Sequence, residues 1–227
     1  MKSLRIRERE LTQHVFKYYR NKGYYVFTEQ FAGMGRADIV AIRLDPSEVN
    51  KRLKHRIKGL PLRTIIRLLS ALDKEVLSIK ELASALNFSE SYIKKVINMI
   101  NPLYIEKIVT KDKIVKVRKI ADYKPFTKEV ITVEVKVDDW RSGLFQADMY
   151  TYASHKSYLA ISMRGFRKIP KPVLEWCKKK GIGVLVIDEK GSVNEVISAR
   201  KIGPKSLLSY YRLTESLWNN MFGNYLK

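Results

Sequence analysis

The chain has 227 residues, enough for one large domain or two small ones. Hydrophobic residues make up 45% and aromatics 11%, which excludes a disordered chain, and no apolar run reaches the ~18–20 residues of a membrane span. Lys and Arg number 44 against 23 acids, a net charge of +21 that predicts a polyanionic partner, nucleic acid above all, and no membrane partner.

The opening MKSLRIRERE lacks the apolar core of a signal peptide, and the single cysteine, Cys177, excludes an intrachain disulfide framework and Cys-rich zinc sites. The expectation is a cytoplasmic protein associated with nucleic acid. Leu11, Val15, Tyr18 and Tyr19 recur at helical spacing, so residues 4–22 are predicted as a helix that Gly23 stops. YYVFTEQF (24–31) and ADIVAIR (37–43) read as strands around the turn AGMGR, and EVITVEVKV (129–137) reads as a third.

Residues 51–128 carry 19 basic and 7 acidic side chains, a local excess of 12 that leaves 9 for the rest of the chain. This change of texture between the second and third strands predicts a domain of residues 47–125 inserted into a frame of residues 1–46 and 126–227. Within it, PLRTIIRLLSAL (61–72) is apolar-periodic, with Pro61 in its first turn. SIKELASALN (78–87) opens with Ser78 and Glu81 at capping-box spacing, and Ser89 caps a third helix ending near Ile100. YIEKIVTKDKIVKVRKI (104–120) alternates apolar and basic residues around KDK, which predicts a two-stranded hairpin.

Three helices followed by a basic hairpin resemble a winged helix-turn-helix. The resemblance implies that Ser91, Tyr92, Lys94 and Lys95 on the third helix face a major groove, and that Lys111, Lys113, Lys116 and Arg118 on the wing meet phosphates. The alternative is a small helical domain whose charges simply face solvent, or a protein-interaction module.

After the third frame strand come a helix over RSGLFQADMYTYASHK (141–156), a strand SYLAISM, a helix KPVLEWCKKK stopped by Gly181, a strand IGVLVID, and an amphipathic helix over 203–227. Glu134 and Lys136 stand two apart in the third strand, so both charges leave it on one face. An unpaired buried charge is costly, which leaves two readings: an ion pair on an edge strand, or a carboxylate that holds a metal beside a substrate-facing lysine.

Asp38 at the start of the second strand, with Glu134 and Lys136, resembles the D–(D/E)xK triad of the PD-(D/E)xK nuclease superfamily. The helix bearing QADMY, with Gln146 and Tyr150 four apart, is similar to the QxxxY helix of several of its branches. The resemblance spans residues 1–45 and 129–200. Gly35-Arg36-Ala37-Asp38 stands where the family has Pro-Asp. It implies an α/β fold with a restriction-endonuclease-like mixed sheet flanked by helices, carrying the inserted mainly-α winged-helix domain. It further implies a Mg²⁺- or Mn²⁺-dependent DNA endonuclease acting on double-stranded or branched DNA.

By the same resemblance Asp38, Glu134 and the Val135 carbonyl hold the metal, and Lys136 orients water or stabilises the transition state. Glu8 on the first helix is a further candidate ligand, with Glu10 as the register alternative. Gln146 is a catalytic candidate, and Tyr150 either touches the site or simply packs. Arg141, with Trp140, is a candidate for the DNA channel, and Asp138 and Asp139 are expected as loop or N-cap acids. Nucleases of this fold often dimerise. The C-terminal helix is a candidate interface, or it packs on its own sheet. The competing function is a DNA-binding regulator or architectural protein on an idle frame.

Overall fold

The structure, a computed structural model, describes residues 7–73 and 75–224. The predicted helical residues 4–6 and 225–227 lie outside that range. The described residues divide into two compact units, one of residues 7–44 and 127–213 and one of residues 45–73, 75–126 and 214–224. Among the described residues no helix is long and apolar enough to cross a membrane.

The first unit is built on a six-stranded mixed sheet in the order β1-β2-β6-β7-β8-β9. Its strands are β1 (Tyr25–Phe31), β2 (Arg36–Leu44), β6 (Thr127–Lys136), β7 (Lys156–Ser162), β8 (Gly183–Ile187) and β9 (Val193–Ile197). β1, β2 and β6 pair antiparallel, β6, β7 and β8 pair parallel, and β9 closes antiparallel on β8. The flanking helices are α1 (Glu8–Asn21), α6 (Trp140–Tyr150), the short α7 (Met163–Phe166) and α8 (Lys171–Lys180).

Residue alternation sorts the two faces. Ile39, Ala41, Val133 and Val135 pack with Leu11, Val15 and Tyr19 of α1. Leu159, Ile161, Val184 and Val186 pack with Leu144 and Ala147 of α6 and Cys177 of α8. The sheet is therefore covered on both faces, as a parallel β–α–β core requires. The end of α1 follows from Gly23, whose φ of +79° admits the left-handed turn in which Tyr24 N–H reaches the Tyr19 carbonyl.

The second unit contains α2 (Pro46–Lys54), α3 (Leu62–Ala71), α4 (Ile79–Leu86) and α5 (Glu90–Ile100). It also has a small sheet in the order β3-β5-β4, from β3 (Leu77–Ser78), β4 (Ile105–Val109) and β5 (Val115–Lys119). Leu68, Leu82, Ile93, Ile97, Ile105 and Val117 are fully buried and form its centre. The capping box predicted at Ser78 is present in both directions: Glu81 N–H donates to Ser78 Oγ at 3.2 Å, and Ser78 N–H donates to Glu81 at 2.7 Å. Ser89 caps α5 through Tyr92 N–H at 3.3 Å. Ser78→Ala is expected to cost about 1 kcal/mol, read as a shift of the denaturation midpoint.

Four features differ from the sequence reading. Strand β6 lies between β2 and β7, so it is interior and the Glu134–Lys136 pair is not an edge-strand feature. Helix α2 was not expected, although Asp45 accepts from Ser47 N–H at 3.0 Å and Pro46 occupies the first helical turn, an N-terminal signal that could have been read. Strand β9 was missed because its middle residues, Asn194, Glu195 and Val196, are all exposed and leave no apolar alternation.

The fourth is the C-terminal helix, α9 (Leu207–Phe222), which does not belong wholly to the frame: from Thr214 onward it groups with the second unit. The reason is a buried ionic core that hydropathy cannot reveal. Arg52, with no exposed surface, donates to Glu215 at 2.6 Å and to the Lys124 carbonyl at 3.1 Å. Leu60 N–H donates to the other Glu215 oxygen at 3.0 Å, and Trp218 Nε1 donates to the Ile57 carbonyl at 2.9 Å. Leu213, Leu217 and Trp218 are buried within the chain itself.

Candidate functional site

The antiparallel register of β2 and β6 pairs Ile39 with Val133 and Val40 with Thr132. Continued by one residue, it sets Asp38 across from Glu134, on the face covered by α6. There the ladder changes character: the Asp38 carboxylate, not a backbone carbonyl, accepts from Val135 N–H at 2.7 Å. Asp38 is half-buried between the fully buried Ala37 and Ile39.

Glu134 is buried, at 2% exposure, and every partner it has is a donor. Lys136 Nζ sits 2.6 Å from its Oε1, and the Tyr150 hydroxyl lies 2.9 Å from its Oε2. The same hydroxyl is 2.7 Å from the Arg36 carbonyl, so Tyr150 ties α6 to the start of β2 as well as to β6. Tyr150 is thus part of the site rather than mere packing. Burial, then the Glu134 charge, raises its pKa, which keeps the phenol a hydrogen-bond donor. Gln146 interacts with this hydroxyl and accepts from Ser142 Oγ at 3.2 Å.

The electrostatics of the cluster are unbalanced. Burial pushes the Asp38 pKa up to about 6; the Val135 N–H opposes this, the Glu134 charge adds to it and Lys136 partly offsets it. Lys136 would be lowered by burial, but the hydrogen bond and charge of Glu134, with Glu8 and Asp38 beyond, raise it above the ordinary lysine value. Two carboxylates thus share one ammonium. Glu8 is exposed at the start of α1 yet acts electrostatically on Lys136, whereas Glu10 is committed to Arg7 N–H at 3.3 Å, capping the helix.

One residue of the site was invisible in the sequence reading. Gly143 faces β6, and a Cβ there would lie 2.9 Å from Lys136 Cγ and also collide with Leu159. The missing side chain lets α6 lie close enough for Gln146 and Tyr150 to reach the strand. A glycine inside a helical pattern beside ExK was the available signal. Asp139 is the N-cap of α6, accepting from Ser142 N–H at 3.2 Å, and Asp138 pairs with Arg164 and Lys168.

Among the described residues no group of three or more His, Cys, Asp or Glu side chains is gathered to hold a metal. Asp38 and Glu134 are the two carboxylates brought together here. A buried and a half-buried carboxylate that share a single ammonium suit a hard divalent cation such as Mg²⁺ or Mn²⁺, which takes one or two carboxylates and keeps its waters.

Without a cation, Asp38 costs stability. The folded chain keeps its proton up to pH about 6 whereas the ordinary value is 3.8, so stability falls as pH rises between those values and the cost is then constant. Asp38→Asn keeps the acceptor for Val135 N–H and removes the charge. In chelator at pH 7.5 it is expected to be more stable by on the order of 1 kcal/mol after solvent screening, with the gain absent below pH about 4. Urea midpoints at the two pH values test this, and a variant less stable than wild type at pH 7.5 contradicts it.

In the second unit Ser91, Lys94 and Lys95 are exposed on α5. Tyr92 departs from its expected role: its hydroxyl is 3.1 Å from Thr64 Oγ1 and its ring leans on Phe88, so it braces α5 against α3. Lys111 and Lys113 are exposed in the turn between β4 and β5, whereas Lys116 is half-buried opposite Ser78 and Arg118 pairs with Glu106. In the first unit Arg141 is exposed at the start of α6, its guanidinium 4.5 Å over the Trp140 ring. Comparison with protein-family models, with curated proteins and with solved structures finds no match to this chain.

Proposed function

We propose that this protein is a divalent-metal-dependent DNA endonuclease of the restriction-endonuclease-like type, placed on DNA by a winged helix formed by its second unit. The observation that carries the reading is the convergence of Asp38, Glu134 and Lys136, with Gln146 and Tyr150 behind them, from β2, β6 and α6. Asp38, Glu134 and the Val135 carbonyl are the residues that would hold Mg²⁺ or Mn²⁺. When bound, such a cation supplies a Lewis acid that neutralises phosphoryl charge and lowers the pKa of water.

The remaining chemistry belongs to the side chains. Lys136, held protonated by Glu134, places a point charge where negative charge develops on the phosphate. Tyr150 fixes the Glu134 carboxylate and so the lysine on its other oxygen. Gln146 lies one helical turn before Tyr150, where it acts on the phenol. On the second unit, Ser91, Lys94 and Lys95 suit a groove and Lys111 and Lys113 suit phosphates, in keeping with the net charge of +21.

A second reading, a DNA-binding regulator on an idle frame, is favoured by the lack of a third carboxylate or histidine among the described residues at the site. A cleavage panel of duplex, flapped, branched and single-stranded DNA separates the two, run with Mg²⁺, with Mn²⁺ and with chelator. The nuclease reading expects metal-dependent cutting of at least one substrate. Tight, salt-sensitive binding with no cutting of any substrate supports the regulator.

A further inference from the structure

A cluster of cations at the carboxyl end of β6 takes no part in the Asp38–Glu134–Lys136 site. From Met163 to Lys171 four of nine residues are basic and none is acidic. Arg164, Arg167, Lys168 and Lys171 are all exposed. Their place follows from the sheet. β6 and β7 run parallel with Lys136 beside Ile161, so α7, which begins at Met163, starts where β6 ends. Met163 and Phe166 pack into the cluster that holds Leu144 and Ala147 of α6, which puts α7 on the face that carries Glu134.

Polar contacts and close packing fix this segment to the residues just past Lys136. The Ser162 hydroxyl donates to the Val137 carbonyl at 2.6 Å and accepts from Gly165 N–H at 3.1 Å. Gly165 lies so near that a Cβ there would collide with the Val137 carbonyl oxygen. Asp138 accepts from Arg164 Nε at 3.1 Å on one oxygen and from Arg164 Nη2 on the other, and Lys168 Nζ stands 3.2 Å from it. One carboxylate thus orients two cations and neutralises only one charge, with Arg167 and Lys171 in the same segment.

We infer that Arg164 and Lys168 bind backbone phosphates of duplex DNA beside the Asp38–Glu134 site, on its β7 side. A guanidinium fork and a compact ammonium both suit phosphate oxygens, and Asp138 holds the two in a fixed geometry that a free surface cation lacks. Position selects DNA over other polyanions. Asp38 begins β2, which runs antiparallel to β6, so a backbone crossing this end of the sheet meets Asp38, Lys136 and Arg164 in that order. The far end of α8 provides the contrast. Lys178 and Lys179 are also exposed, and Lys178 has its own acid in Glu175 at 2.9 Å. Helix α8 ends just before β8 begins at Gly183, so these lysines stand at the opposite end of the sheet. The inference rests on the nuclease reading for the identity of the neighbouring site; binding through the two cations does not depend on cleavage.

The test measures affinity of the full chain for a blunt DNA duplex, in chelator, across a salt series. Arg164→Gln with Lys168→Gln is expected to weaken binding by about tenfold and to reduce the slope of log affinity against log salt by about 2, as the loss of two phosphate contacts requires. Lys178→Gln with Lys179→Gln removes the same charge and is expected to change affinity by less than about twofold. Equal losses in the two double variants overturn the inference, because net charge alone then accounts for both. Unchanged duplex affinity on loss of Arg164 and Lys168 overturns it as well; if binding of polyglutamate is lost instead, the cations serve an acidic protein. Cleavage in Mg²⁺ is scored separately. A chain that binds duplex through these cations and cuts nothing defeats the nuclease reading alone. One that cuts DNA while its affinity ignores Arg164 and Lys168 defeats this inference alone.

Discussion

Lys136→Ala is expected to reduce metal-dependent DNA cleavage by about 10²–10³-fold while DNA affinity stays within about twofold of wild type. The lysine is one charge among many on a strongly basic chain, so its loss is small for binding. Its placement is what matters. It leaves β6 beside the buried Glu134 and is clamped there at 2.6 Å. Lys136→Arg is not expected to rescue, because a planar guanidinium does not reproduce the compact ammonium held on the buried Glu134. Single-turnover rates on the preferred substrate, with binding measured in chelator, check both halves. Equal losses in binding and cleavage would mean that Lys136 is merely a phosphate contact. Gly143→Ala is expected to reproduce part of the same defect by pushing Lys136 from its place.

The second large effect concerns stability. Glu215→Ala is expected to destabilise the second unit by about 3–5 kcal/mol, because it strands the buried Arg52 guanidinium. That guanidinium has no exposed surface, and its Nε already lacks a hydrogen-bond partner. Glu215 also satisfies Leu60 N–H at 3.0 Å and accepts from the Tyr123 hydroxyl, so several groups lose a partner together. Phe126 and Trp218 wall the guanidinium in, with centroids 5.8 and 5.2 Å from it, and allow little water to replace the lost carboxylate. Thermal unfolding is expected to show a lower first transition, by on the order of 10 °C. Removing residues 214–227 is expected to do the same. A melt unchanged by Glu215→Ala would show that the ionic core contributes nothing net.

The legibility of the sequence varied with the type of force involved. Caps and apolar periodicity are local, so Ser78, Ser89, Gly23 and Gly181 were read correctly, and the strands that hold Asp38 and Glu134 were found at their observed places. That β2 lies beside β6 was expected from the resemblance of Asp38, Glu134 and Lys136 to a D–(D/E)xK triad, and the two strands do pair antiparallel. What was not legible is long-range and polar. Arg52 and Glu215 each look like ordinary surface charges on amphipathic helices, and only their meeting explains why the last helix groups with the inserted residues. Tyr92 read as an outward side chain because nothing local announces Thr64 as its partner. Gly143 had no place in the sequence reading, because only the close approach of α6 to Lys136 and Leu159 shows why a side chain is missing there.

Manganese binding at Asp38 and Glu134 tests the central claim most directly. Crystals of the chain soaked in Mn²⁺ are expected to show one anomalous peak bonded to both carboxylates, with Asp38 ionised at neutral pH and the peak lost in Asp38→Asn. A peak elsewhere, or no peak while Asp38 remains on Val135 N–H and Glu134 on Lys136 and Tyr150, would contradict the account.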